Sequence, residues 1–152
     1  MGQSTDAILC WGIVLTEDEG SEIPWEDAAE LAGYDDPVDD EYLAFALCGI
    51  AKPTSDYGDN KDEHKEYWTK KREALAAYGV EVLTHCSYEY PLYMLIVSAS
   101  EVRASRGYPK DILKTDLDAP EANNWQELLN EACEKLGMEP QAGGWRLCSL
   151  WG

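Results

Sequence analysis

Three groups of residues have types and spacings that could do chemistry: the neighbours His85 and Cys86, a basic cluster of Arg103, Arg106, Lys110 and Lys114 with Tyr108 among them, and twelve carboxylates between Glu17 and Glu41. An imidazole beside a thiol can lower the thiol pKa and create a nucleophile, provided the two side chains meet. Adjacent residues of a regular strand point to opposite faces, so His85 and Cys86 are expected to be structural unless the chain turns there. Guanidinium groups grip phosphates and carboxylates bidentately. His85, Arg103, Arg106 and Tyr108 therefore make an alternative ligand-binding set, which requires a concave apolar cavity shared by these groups. As structure, the same basic cluster would neutralise the acidic helices, within the chain or between subunits.

The carboxylates are Glu17, Asp18, Glu19, Glu22, Glu26, Asp27, Glu30, Asp35, Asp36, Asp39, Asp40 and Glu41, with no Lys or Arg among them. Residues 1–63 hold seventeen acids and two bases, net −15, whereas residues 64–152 hold thirteen acids and ten bases, net −3. Acids at a helix N-terminus gain roughly 0.3–1 kcal/mol each from the macrodipole, and acidic surfaces aid solubility. Twelve acids without a base exceed what capping needs. They form the expected partner-binding face, attracting a protein with a basic surface, including one that ordinarily binds nucleic acid phosphates. The overall charge of −18 opposes direct contact between this chain and nucleic acid.

Neither Glu17 to Glu26 nor Asp56 to Glu63 follows the order of an EF-hand loop, and no HExxH, GxSxG or P-loop pattern is present. The sequence thus assigns no catalytic residue, metal or cofactor. Five cysteines, Cys10, Cys48, Cys86, Cys133 and Cys148, are odd in number and include no CxxC pair. Among apolar neighbours they read as free, buried thiols in a reducing compartment, so the cytoplasm is the expected location. No apolar run is long enough to span a bilayer, and no membrane partner is expected.

These groups must be positioned by a handful of elements. Residues 7–15 are continuously apolar and predict a central strand covered on both faces. Two short acidic helices follow, one from Ile23-Pro24-Trp25 to Leu31 and one opened by Asp36-Pro37 as N-cap and first helical residue, ending at Gly49. Asn60 with Glu63 predicts the start of a helix that runs to Tyr78, with an aromatic inner face. Residues 80–84 and 92–98 read as a hairpin. Asp118 with Glu121 brackets the start of a helix whose stripe is Trp125, Leu128, Leu129, Ala132, Cys133 and Leu136, and residues 145–151 close the chain as a strand. The expected fold is α+β over one domain, 1–152: a mainly antiparallel sheet of about four strands, with helices packed on it.

The Leu9-Cys10-Trp11-Gly12 strand followed by an acidic stretch with Pro24-Trp25, the segments His85-Cys86-Ser87-x-x-Tyr90-Pro91 and Arg106-Gly107-Tyr108-Pro109, and the terminal Trp145-x-Leu147-x-Ser149-x-Trp151-Gly152 resemble small acidic hypothetical proteins of bacteriophages. That family has no assigned activity, so the resemblance implies no catalytic residue. It implies a phage accessory protein of the bacterial cytoplasm, in a class whose small acidic members often bind and inhibit host factors.

The expected function is therefore non-enzymatic. An acidic helical face docks on a basic surface and inhibits or modulates a host or phage factor, with anti-defence activity and nucleic-acid mimicry as particular forms. Two alternatives stand beside it: a small enzyme or nucleotide- or phosphate-binding protein built on Arg103, Arg106 and His85, and an oligomeric virion or assembly component with its tryptophans at the contacts.

Overall fold

A computed structural model describes residues 5–151. Five strands and six helices follow in the order β1 (Thr5–Val14), α1 (Glu26–Leu31), α2 (Asp40–Cys48), α3 (Lys61–Tyr78), β2 (Val80–Ser87), β3 (Pro91–Val97), β4 (Val102–Ser105), α4 (Lys114–Leu117), α5 (Ala119–Ala122), α6 (Trp125–Leu136) and β5 (Gly144–Trp151). The architecture is α+β with a mixed five-stranded sheet. The strand beyond the expected four is β4, too short for its Val-Arg-Ala-Ser alternation to stand out inside the basic segment.

Strand β1 organises the sheet. Along one edge it pairs antiparallel with β5, from Thr5 opposite Trp151 to Gly12 opposite Gly144. Along the other it pairs first with β4 and then with β3. Strands β2 and β3 form the expected hairpin, and β2 reaches β5 through a short parallel contact at Cys86–Leu150 and Ser87–Trp151. The pairings β1–β3, β3–β2, β2–β5 and β5–β1 close the sheet on itself.

Closure gives each strand an inside and an outside, and the period of two sorts the side chains accordingly. Ile8, Cys10, Leu83, Met94, Ile96 and Leu150 fill the interior. Trp11, Ile13, Val80, Leu95 and Val97 point outward into a larger core shared with the helices. Both faces of β1 are thus covered around residues 8–13, as its unbroken apolar run requires. Leu43 and Leu47 of α2 and the α6 residues Trp125, Leu129, Ala132, Cys133 and Leu136 complete that outer core. Each of the valines, leucines and isoleucines among them contributes roughly 1.5–3 kcal/mol of transfer free energy when fully buried.

Two helix starts differ from expectation. Asp36 does not cap α2. Its carboxylate accepts the Val38 N–H at 3.0 Å while the Pro37 carbonyl accepts the Trp25 indole N–H at 2.7 Å, and these contacts hold residues 36–38 in a turn. Asp39 caps instead, accepting the Glu41 N–H at 3.2 Å. Helix α6 begins at Trp125 rather than near Asp118, because Asn124 takes a left-handed conformation (φ 54°) and separates it from the short α4 and α5. The Trp145 indole donates to the Leu117 carbonyl at 3.2 Å, tying that preceding segment to β5. Helix α3 starts and stops where its Asn60 cap and Gly79 place it, but only Tyr67 of its aromatics is buried. Trp68 is exposed and stacks on Tyr57, centroids 5.5 Å apart.

Candidate functional site

The acidic segment leaves β1 and runs through α1 into α2. Ile23, Trp25, Ala29 and Tyr34 turn inward and are buried, whereas Leu31 at the end of α1 is exposed, and the Tyr34 ring packs on Tyr42 and Phe45 at 5.6 and 5.3 Å. Trp25 and Tyr34 therefore anchor the core, whereas Tyr57 and Tyr88 are exposed. With the apolar side used up, the carboxylates face water. Eleven of the twelve are exposed and Glu41 is partly buried.

None of the twelve forms a salt bridge among the described residues. The bridges present are Lys70–Glu66, Arg103–Asp6, Arg103–Glu101, Lys114–Asp118 and Lys135–Glu131. The expectation that the basic cluster neutralises the acidic helices within the chain is not met: Arg103 and Lys114 pair with acids near their own strand or helix turn, and Arg106 and Lys110 form no salt bridge among the described residues. Arg103 takes Glu101 at 3.0 Å and Asp6, across the β1–β4 ladder, at 3.6 Å.

Four of the carboxylates gather at one place. The α1–α2 and α2–α3 connections border a cleft of roughly 150 Å³ lined by Tyr34, Asp35, Asp36, Asp39, Glu41 and Lys52. The bonds to Val38 and Glu41 fix Asp36 and Asp39 by one oxygen each and leave the other oxygen free of protein partners. Lys52, the first base in the sequence, pairs with none of the four. Its Nζ donates to the Gly33 carbonyl at 2.5 Å and sits 4.6 Å from the Tyr34 ring centroid, and its backbone N–H points to the Tyr34 hydroxyl at 3.4 Å.

Lys52 also lines a second, wider cleft of roughly 620 Å³ with Pro53, Glu63, Glu66, Tyr67 and Lys70. Tyr67 is 6% exposed, and its hydroxyl is buried without a hydrogen-bond partner. Burial, followed by the charges of Glu41, Tyr34 and Asp39, pushes its pKa up to about 12. The Tyr67 side chain thus lines the wider cleft and not the acidic one. Lys52 and Tyr67 were not singled out from the sequence. The one signal for Lys52 was its position as the first base after fifty-one residues.

The alternative set is split. Arg106 and Tyr108 line a shallow, apolar cleft of roughly 460 Å³ with Ala7, Ala104, Pro109 and Ser149, but Arg103 and His85 do not. Arg103 is engaged by its two carboxylates, and His85 lies on β2 opposite Leu92. Burial lowers the His85 pKa, and its Nε2 is buried without a partner. The chain does turn at Cys86 (φ 72°), contrary to a regular strand, yet this brings His85 no hydrogen bond at Nε2. In the sheet interior, burial and the neighbouring Cys148 push the Cys10 thiol up to about 12, which suppresses its thiolate at neutral pH.

No group of three or more His, Cys, Asp or Glu side chains among the described residues is arranged to hold a metal ion, and no described helix is long and apolar enough to cross a membrane. No protein-family model, curated protein or solved structure matches the chain. The geometry of the acidic segment therefore carries the functional reading.

Proposed function

We propose that this chain is a non-enzymatic accessory protein whose acidic segment docks on the basic surface of another protein and blocks that surface to its usual ligand. The observation that supports this is the exposure of eleven of the twelve carboxylates of residues 17–41, with no salt bridge from any of the twelve to a cation among the described residues. Unpaired charge projects a field into solvent, which accelerates encounter with an opposite surface and disfavours like-charged partners. A nucleic-acid-binding protein presents such a surface, evolved for phosphates, and carboxylates held on a rigid scaffold compete for it. The resemblance to phage proteins supports a host or phage factor as the target.

Association kinetics test this. A basic DNA-binding domain, or a decalysine peptide as a minimal probe, is flowed over the immobilised protein from about 50 to about 300 mM NaCl, a range over which the Debye length falls by more than a factor of two. Association is expected to slow steeply with salt. Neutralising Asp18, Glu19, Asp27 and Glu30 together is expected to slow it further while leaving the denaturation midpoint within about 0.5 kcal/mol of wild type. A flat salt titration overturns the reading. Proteins that co-purify at low salt and elute at high salt would then identify the target.

A further inference from the structure

We propose that the wider cleft, between residues 50–54 and α3, binds a small uncharged ligand rich in hydroxyl groups, of the size of one or two sugar rings. None of the twelve carboxylates of the acidic segment lines it, so the site stands or falls independently of the docking reading.

Construction is the first consideration. The connection from α2 to α3 is tied down on both sides of the cleft. At one end the Ile50 N–H donates to the Ala44 carbonyl at 3.1 Å and the Lys52 ammonium to the Gly33 carbonyl at 2.5 Å. At the other, the Ser55 hydroxyl donates to Glu63 Oε2 at 2.6 Å, and the Ser55 carbonyl lies 2.8 Å from His64 Nε2. Among the described residues no hydrogen bond joins residues 50–54 to α3, so between its ties the segment leaves a gap beside the helix. That gap is roughly 620 Å³, within the 300–1,000 Å³ typical of small-molecule sites. Helix α3 lines it with Glu63, Glu66, Tyr67 and Lys70, which share one face by the i, i+3, i+4, i+7 spacing.

The second consideration is independent of the first. Tyr67 is nine-tenths buried in the wall of this cleft, and its hydroxyl has no hydrogen-bond partner. Buried polar groups are ordinarily paired, and an unpaired one carries a desolvation cost that a ligand can relieve. A phenol both donates and accepts, so a ligand hydroxyl meets it in either role.

Charge selects the class. Lys52 and Lys70 balance Glu63 and Glu66, so the lining is neutral in a chain of net charge −18. Neither a polyphosphate nor a polycation is drawn to such a lining. The four charges are also engaged already: Lys70 pairs with Glu66 at 2.5 Å, Lys52 is held by Gly33, and Glu63 Oε2 accepts from Ser55 and Asn60. An amino-acid zwitterion needs a free ammonium and a free carboxylate, which this arrangement does not offer. What remains is hydrogen-bonding capacity on Lys52, Glu63 Oε1, Thr54 and Tyr67. Hydroxyl groups match that mixture, each donating to an acceptor and accepting from a donor. Ile50, Ala51 and Pro53 supply apolar surface for the C–H face of a ring.

The test is NMR of backbone amides on the whole protein, titrated with methyl α-D-glucopyranoside, sucrose or myo-inositol, and with glucose 6-phosphate as the charged relative. At least one neutral probe is expected to give saturable shifts confined to residues 50–54 and 63–70, with a dissociation constant on the order of 1 mM, ordinary for so small a ligand. Glucose 6-phosphate is expected to bind at least about tenfold more weakly than the best neutral probe. Tyr67→Phe removes a hydroxyl that no protein group bonds, so the urea midpoint should hold or rise while the neutral probe weakens about fivefold. Ala51→Phe, at an exposed position of the wall, fills the cleft and should abolish binding, whereas Glu19→Gln leaves it unchanged. No saturable shift from any neutral probe at about 100 mM, equal or tighter binding of glucose 6-phosphate, or binding that Tyr67→Phe or Ala51→Phe leaves intact overturns the site. Salt-dependent binding of decalysine survives each of those results, so failure of this site and failure of docking are told apart.

Discussion

The Ser100 hydroxyl accepts a hydrogen bond from the Trp11 backbone N–H at 2.8 Å and donates to the Val97 carbonyl at 2.6 Å, across eighty-nine residues of sequence in the first case. It sits where the neighbour of β1 changes. Gly12 pairs with Ile96 of β3 and Leu9 with Val102 of β4, so β1 advances three residues while the other chain advances six. The surplus is taken up by one turn of 3-10 helix at Ser98–Ser100. At that gap the ladder offers Trp11 no backbone acceptor, and the serine supplies one.

Replacing Ser100 with alanine is therefore expected to strand the buried Trp11 N–H. The cost of such a group is about 1–3 kcal/mol, large for one hydroxyl. Urea unfolding should show a lower midpoint with an unchanged slope. A midpoint within experimental error of wild type would mean that the neighbouring carbonyls relax to replace the hydroxyl.

A second position is set by close approach rather than by bonding. A Cβ on Gly12 would lie 2.2 Å from the Leu95 carbonyl oxygen and 2.8 Å from the Ile96 Cα, both backbone atoms of the paired strand that cannot turn aside. Gly12→Ala is expected to cost at least about 3 kcal/mol, or to prevent folding, by forcing β1 and β3 apart. Gly58 meets nothing within 4 Å, and Gly58→Ala should change stability by less than about 0.5 kcal/mol. Parallel urea denaturation of the two variants checks the contrast.

These two positions show why part of the fold was legible and part was not. Periodicity revealed β1, α3, the β2–β3 hairpin, the apolar stripe of α6 and β5, because in each the chain's own pattern of apolar residues decides which face is buried. The gap at Ser100 and the start of α2 depend on partners far away in sequence. Trp25 reaches Pro37, and Trp11 reaches Ser100, and no local pattern records either contact. The acidic face was visible as a count. The cleft within it was not, since it requires the connections around Tyr34 and Lys52 to meet in space.

The half-buried Glu81 gives a pH dependence with a definite sign. Burial raises its pKa, the Ser98 hydrogen bond opposes that, and Glu101 and Asp40 add to the rise. A carboxyl whose folded pKa exceeds its unfolded value contributes stability that is fully present below the unfolded value, near 4.5, and lost as pH rises through the folded one. Glu81→Gln, neutral throughout, should raise the urea midpoint at pH 7 and match wild type below about pH 4. His85 acts from the other side. Its folded pKa is lowered by burial, so its contribution is present above the unfolded value of 6.5 and lost as pH falls through the folded value. His85→Gln should flatten the wild-type decline in that acid window, which a denaturation series in steps of pH would reveal.

The unpaired carboxylates that support docking should also be felt as strain in the free protein. Like charges crowded on one segment, with none matched by a cation among the described residues, repel one another over a distance that added salt shortens. The thermal midpoint of the wild-type chain is therefore expected to rise with NaCl from about 20 to about 500 mM, as the Debye length falls from roughly 20 to roughly 4 Å. A variant carrying Asp35→Asn, Asp36→Asn, Asp39→Asn and Glu41→Gln should start from a higher midpoint at low salt, by about 1 kcal/mol in stability, and respond less to salt. Asparagine at 36 and 39 preserves the side-chain acceptors that hold the turn and cap α2, so lost structure does not mask the gain. The same four substitutions should weaken binding to a basic partner. Greater stability in isolation with poorer association is the signature of charge retained for a partner, and a variant that loses both would instead mark these acids as structural.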